Sequence, residues 1–179
     1  IWKPPGTKPL GFHQDDSYNN WIVPGEMNTC WITLDDTRAY QGTIEYVRGS
    51  HLWPLSPPIK QFHAPDDPLN DLYPAARAAG VTDYEIVPIE VPAGSCVIHH
   101  GQTWHGSRDN KGDKPRRSVI AHCISSAAKF HPDKISYIYS RYKKVGSVEM
   151  DESYFPITWR NDGYRTPWLD AYIAGQKAA

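Results

Sequence analysis

Charge of one sign is what this sequence lacks most. Nineteen Lys and Arg stand against twenty Asp and Glu, a formal net charge of −1, so no overall field draws the chain to nucleic acid or an anionic membrane. Long apolar runs are missing as well: no stretch approaches the roughly 18 residues of a membrane-spanning helix. Cysteine is scarce. Cys30, Cys96 and Cys123 are the full set, with no C-x-x-C spacing. That usage excludes a disulfide framework and a cysteine zinc site, and it predicts buried thiols in a reducing, cytoplasmic compartment. Internal repeats and low-complexity linkers are absent. The chain opens at IWKPPG without an initiator Met, as expected of a piece whose N-terminal portion is missing.

What is present points to a β-protein. The length of 179 residues predicts one domain able to bury a real core. Seven Trp, eleven Tyr and sixteen Pro favour strands, walled small-molecule pockets and many short connections. TCWITLDD (29–36), GTIEYVRGSH (42–51) and RRSVIAHCIS (116–125) carry strand chemistry, and YEIVPIEVPAGSCVIHH (84–100) reads as two strands broken at Pro92-Ala93-Gly94. Helical signals are few. DLYPAARAAG (71–80) is one; TPWLDAYIAG (166–175) is another, with Thr166 as N-cap and Pro167 at the first helical position. The pattern predicts an all-β-dominated fold, an antiparallel sandwich or barrel such as a jelly roll. Segments 52–70 and 140–165 look irregular, the usual character of lids and binding loops.

The chemistry concentrates in GFHQDDSY (11–18). In an extended chain residues i and i+2 share a face, so His13 and Asp15 can offer an imidazole and a carboxylate to one metal ion. A third ligand must come from elsewhere. His105, in HHGQTWHGSRDN, follows a strand, and KPRRSVIAHC brings Arg116 back on what reads as the other arm of a hairpin. His13, Asp15 and His105 together make the two-His, one-carboxylate set that leaves coordination positions open on non-haem Fe(II). Arg116 can grip a co-substrate carboxylate with two parallel hydrogen bonds.

Four stretches in order, KPPGTKPLGFHQDDSY (3–18), WITLDDTRAYQGTIEYVRGSH (31–51), PAGSCVIHHGQTWHGSRDN (92–110) and KPRRSVIAHC (114–123), resemble the phytanoyl-CoA dioxygenase family of Fe(II)/2-oxoglutarate-dependent oxygenases. The resemblance implies a double-stranded β-helix, with Fe(II), 2-oxoglutarate and O2 as cofactor and co-substrates. It makes His13, Asp15 and His105 the iron ligands. Arg116, helped by Ser107, would bind the distal carboxylate of 2-oxoglutarate, and Gln14 and Trp31 would line the co-substrate pocket. The implied reaction is oxidation of a small molecule with release of succinate and CO2. The intact Asp15 favours hydroxylation over halogenation; desaturation, epoxidation and ring closure use the same ligands. Two departures stand out: Gln41-Gly42 replaces the family's Asn-Gly, and the N-terminal portion that precedes H-x-D in the family is not in this chain. On this view residues 1–179 are a single oxygenase domain, with core motifs in 3–123 and loops and a C-terminal helix in 124–179.

Other candidates read more plainly. Asp16 is expected to cap a turn or face solvent. Of His99 and His100, one should face inward and one outward, with neither a ligand. His51 is expected to be structural, and His63, His122 and His131 have no partner pattern. Arg117 should face away from Arg116. Trp53, Trp104, Tyr154, Phe155 and Trp159 lie in or near loops expected to cover the site, which predicts an apolar or ring-bearing, natural-product-like substrate. An acyl-CoA fits less well, because Arg141, Lys143 and Lys144 read as a solvated face. The expected partner is a small molecule, with no nucleic acid or membrane; oligomeric state has no signal. Two other classes stay open: a jelly-roll hydrolase or isomerase using Zn or Mn on the same ligands, which would not need Arg116, and a non-catalytic binding module.

Overall fold

The computed structural model describes residues 1–177. Its strands are β1 (Trp2–Lys3), β2 (Leu10–His13), β3 (Ile22–Val23), β4 (Met27–Thr33), β5 (Ile44–Val47), β6 (Ile86–Pro88), β7 (Cys96–His100), β8 (His105–Ser107), β9 (Arg116–Ile124) and β10 (Lys129–Phe130). Its α-helices are α1 (Leu72–Ala78) and α2 (Pro167–Lys177). Within the span expected as one domain, the chain forms two compact units: residues 1–19 with 26–123, and residues 20–25 with the segment from Ile124 onward.

The first unit is a jelly roll of two four-stranded sheets, ordered β1-β9-β4-β7 and β2-β8-β5-β6. Side-chain alternation explains the layering. Along β4, Met27, Thr29, Trp31 and Thr33 are buried while Asn28 is exposed and Cys30 and Ile32 are half-buried, as one face of a pleated strand meets the interior. On β9, Arg116 and Ser118 are buried while Arg117 and Val119 are exposed. One apolar cluster joins Phe12, Val47, Trp53 and Trp104 to Leu72 and Ala76 of α1. A second, of Trp31, Ile44 and Tyr46, walls the interior near the candidate site. Burying each large apolar side chain stabilises the fold by roughly 1.5–3 kcal/mol.

The structure corrects several expectations. His105 and Arg116 do not share a hairpin: β8 pairs with β2 and β5, whereas β9 lies between β1 and β4 in the other sheet. The connection crosses between sheets, and buried Asn110 pins it by donating to the carbonyls of Lys3 and Lys114, 2.9 Å each. Trp53 and Trp104 belong to the core rather than to a substrate wall. The thiols are not buried; Cys96 and Cys123 are exposed and Cys30 half-buried, with the Cys30 and Cys96 sulfurs 3.0 Å apart.

The second unit has its own small core. β3 and β10 pair antiparallel, and Trp21, Ile22 and Phe130 form a cluster. Tyr139 stacks on Trp21 at 4.6 Å. Phe155 packs into the same cluster, while Tyr154 and Trp159 are exposed. Thr166 does not cap α2 with its side chain; its hydroxyl donates to Glu152 and accepts from the Ile157 N–H. Among the described residues no helix is long and apolar enough to cross a membrane.

Candidate metal and co-substrate site

β2 ends at His13, and Asp15 opens a short 3-10 turn. Gln14 between them is extended (φ −110°, ψ 129°), so the two flanking side chains stay on one side although strand pairing has stopped. His105 starts β8, directly opposite His13 in the sheet. The ligand atoms of His13, Asp15 and His105 all lie within 4.8 Å of one another. His13 Nε2 is 3.4 Å and His105 Nε2 is 3.6 Å from Asp15 Oδ1.

Hydrogen bonds fix the tautomers of both rings. His13 Nδ1 lies 2.9 Å from the Gly11 carbonyl and His105 Nδ1 lies 2.9 Å from the Thr103 carbonyl. A carbonyl only accepts, so each Nδ1 carries the proton and each Nε2 keeps a lone pair. Burial pushes His105 down to about 3, which favours its neutral form. Burial alone would raise the Asp15 carboxyl, but the imidazoles around it hold it far below the usual carboxylate range, so it is ionised. Three proton-free acceptors therefore face one another, an arrangement that calls for a cation. A divalent metal fits the donor set.

Further groups surround Asp15. Thr29 Oγ1 donates to Asp15 Oδ2 at 2.6 Å, and His99 Nε2 lies 3.3 Å from the same oxygen. Tyr46 Oη is 2.8 Å from His99 Nδ1. His122 Nδ1 is 2.9 Å from Thr29 Oγ1 and 4.0 Å from Asp15 Oδ2. Of the adjacent pair, His99 faces in and His100 is exposed. His122, for which the sequence offered no partner, also faces this cluster. Asp16 is buried rather than solvated: its Oδ1 accepts from the Met27 N–H at 2.9 Å and anchors the turn, and burial raises its carboxyl.

A cavity of about 130 Å3 runs from the cluster to Arg116, lined by Asp15, Thr29, Trp31, Phe62, His99 and Ser107 among others. Small-molecule sites are commonly about 300–1,000 Å3; this one is sized for a compact ligand. Arg116 is buried. Its Nε and Nη2 donate to the Gly42 carbonyl and its Nη1 to Ser118 Oγ. A guanidinium has five N–H groups, so one on each terminal nitrogen stays free, a fork of the shape that carboxylates accept. The Trp31 ring lies 5.7 Å from the guanidinium carbon.

Beside Arg116 sits a residue that the sequence reading passed over. Lys3 faces Arg116 in register across β1 and β9, is 2 % exposed, and donates to Ser107 Oγ at 2.9 Å and to the Arg108 carbonyl. Burial and the Arg116 charge push it down to about 8, and burial brings Arg116 down to about 10. Among the described residues no carboxylate makes an ion pair with either cation. Lysine donates only, so the Ser107 oxygen accepts from Lys3 and its own proton is free for the cavity. Gln14 has another place: its amide donates to the Gln102 carbonyl and accepts from the Ser56 N–H, both at 2.8 Å. It ties two loops together and does not line the cavity. Arg117 faces outward and pairs with Asp35.

Fold and cluster define a jelly-roll protein with a two-His, one-carboxylate centre. The model for the phytanoyl-CoA dioxygenase family (PhyH) matches residues 1–118, and the chain belongs to that family. Among curated proteins it is 27 % identical over 120 residues to dioxygenase olcK of Penicillium canescens, covering 64 % of this chain and 33 % of that protein. It is 28 % identical over 114 residues to the phytanoyl-CoA dioxygenase of Arabidopsis thaliana, covering 64 % and 38 %. The chain thus spans well under half the length of these two relatives. Among solved structures, the non-haem alpha-ketoglutarate-dependent carbocyclase SnoK from nogalamycin biosynthesis superposes with a TM-score of 0.60 at 24 % identity, over 84 % of this chain and 57 % of that one. The epimerase SnoN, solved with Fe3+, alpha-ketoglutarate and nogalamycin RO, gives 0.56 at 24 % identity, over 75 % and 50 %. These two likenesses establish the shared fold.

Proposed function

We propose that this chain carries the catalytic core of a non-haem Fe(II)/2-oxoglutarate-dependent dioxygenase. His13, Asp15 and His105 hold the iron through Nε2, Oδ1 and Nε2. Arg116 and the Ser107 hydroxyl hold the far carboxylate of 2-oxoglutarate, and Trp31 walls the space between. The observation that carries the reading is the pairing of two unmet needs in one small cavity: proton-free acceptors without a cation at one end, and the buried Arg116 guanidinium without an ion-pair partner at the other. A small molecule with a chelating head and an anionic tail answers both.

Bound Fe(II), with 2-oxoglutarate and O2, supplies the oxidising chemistry, releasing succinate and CO2 and oxidising a C–H bond of the substrate. The protein's own part is placement and exclusion of water. Its backbone carbonyls keep both Nε2 atoms unprotonated, and its buried Arg116 pulls the co-substrate into one orientation. Leu10, Ile44, Phe62 and Ile120 line the cavity, which supports an apolar or ring-bearing substrate presented to the iron from that side. Hydroxylation is the outcome proposed for the intact Asp15.

The test is anaerobic titration of the metal-free protein with Fe(II) and 2-oxoglutarate, followed by the visible charge-transfer band of the chelate. The band should appear, vanish in His13→Ala and weaken in Arg116→Ala. Iron binding without the band would move the assignment to a metal hydrolase or isomerase. Absence of metal binding would leave a binding module.

A further inference from the structure

The two oxygens of Asp15 have different surroundings. Oδ1 faces His13 Nε2 and His105 Nε2 at 3.4 and 3.6 Å, both lone-pair atoms. Oδ2 faces donors. An ionised carboxylate accepts only, and this one acceptor orders every proton around it. Thr29 has a single hydroxyl proton and gives it to Oδ2 at 2.6 Å. The 2.9 Å contact between His122 Nδ1 and Thr29 Oγ1 is then donated by the ring. At 3.3 Å from Oδ2, His99 Nε2 is the second donor. In the neutral ring Nδ1 is consequently an acceptor, and Tyr46 Oη donates to it at 2.8 Å. His99 and Tyr46 are both buried, so this orientation is set by packing as well as by hydrogen bonds.

We propose that His99, held by Tyr46, is a positioning residue that restricts Asp15 to one-oxygen coordination of the metal. This inference rests on the metal-centre reading above. A carboxylate free to turn can bind a metal through both oxygens, which removes one of the open positions that a two-His, one-carboxylate centre offers. With Oδ2 engaged by His99 and Thr29, that second oxygen is unavailable, and the positions for a bidentate co-substrate and O2 stay free. Such outer hydrogen bonds orient ligands and tune affinity.

The experiment uses the full chain stripped of metal, titrated anaerobically with Co(II) alone and then with 2-oxoglutarate at saturating Co(II). His99→Phe should weaken Co(II) binding by about 10- to 100-fold, and should weaken 2-oxoglutarate further once the metal is saturating. His99→Gln, whose amide can donate to Oδ2, should recover most of both. Tyr46→Phe should move both readouts the same way by roughly 3- to 10-fold, the worth of one hydrogen bond; it carries the test if His99→Phe does not fold. Vanadyl as a spin probe, read by pulsed EPR, should count two coordinated imidazoles in wild type and His99→Phe alike. A third imidazole in wild type, lost in His99→Phe, would make His99 a ligand and overturn the proposal. Wild-type affinities in His99→Phe, or a Gln variant no better than Phe, would overturn it as well. If wild type binds no Co(II), the metal-centre reading falls and takes this inference with it.

Discussion

At one end of the cavity four imidazoles crowd a single carboxylate; at the other lies Arg116, in register with Lys3, and among the described residues neither cation has a carboxylate ion pair. The first end is satisfied internally except for three lone pairs that point at one another. The second is costlier, because a buried guanidinium whose hydrogen bonds go to neutral groups only is poorly compensated in the ligand-free fold. The two ends therefore differ in what they ask of a ligand. The metal end asks for a cation and can wait for it, since its neutral rings tolerate burial. On the proposed reading an anion at the cationic end offsets that cost.

Breaking the metal end should have the largest effect. His105→Ala removes one of the three proposed ligands and should abolish Co(II) binding in an equilibrium titration, a loss of more than about 100-fold. Its neighbours at the other end should still bind a simple dicarboxylate weakly.

Breaking the cationic end should separate binding from stability. Arg116→Met should weaken 2-oxoglutarate by roughly 30-fold or more, since truncating one partner of a buried charge pair costs about 2–5 kcal/mol. It should spare 2-oxobutyrate, which has the chelating head and lacks the second carboxylate. In urea melts the ligand-free variant should be more stable than wild type by about 1 kcal/mol or more, because an unanswered charge has gone. Loss of affinity for both keto acids alike would mean that Arg116 only supports the fold.

The contrast sharpens with pH. Lys3 stands at about 8 in the folded chain against its ordinary 10.5. Between those values the unfolded chain binds more protons, so ligand-free stability should rise as pH goes from about 8 to 10.5, by on the order of 1–3 kcal/mol. His105, at about 3 against 6.5, acts in a lower window: stability should fall as pH drops from about 6.5 towards 3. Urea midpoints across pH should show both slopes. Lys3→Met should erase the alkaline slope alone and weaken 2-oxoglutarate by roughly 3-fold through its lost hold on Ser107, the worth of one ordinary hydrogen bond. The smallest effect belongs to Arg117→Ala. Its side chain faces solvent and Asp35, so 2-oxoglutarate affinity should not change measurably.

Much of this was legible in the residues, for reasons that also mark where legibility stopped. β-branched and aromatic runs placed β4, β5, β7 and β9, and strand geometry told that one of His99 and His100 would face inward. It did not tell that the inward ring ends against Asp15, because that contact joins strands from different parts of the chain. The H-x-D pair and the later H-G-S were readable as local patterns, the second forming strand β8. The sheet crossing between β8 and β9 was not, since eleven residues with a turn suit a hairpin equally well; Asn110 decides it through carbonyls at positions 3 and 114. Lys3 carried no local signal at all. A lysine before two prolines reads as a solvated end until the strand it forms is paired against Arg116. Gln14 shows the reverse case, a residue beside the ligands whose amide is engaged by two loops.

Gly42 carries a consequence for what the site can accept. It sits at φ +64°, and a Cβ there would meet the Arg108 carbonyl at 2.5 Å, so the position is closed to every side chain. Its own carbonyl takes two of the Arg116 N–H groups. That peptide oxygen thereby fixes where the Arg116 guanidinium stands, and on the proposed reading the reach of the diacid the site accepts. An engineer seeking a longer or shorter co-substrate would have to reshape the turn at 41–42 and leave the arginine alone.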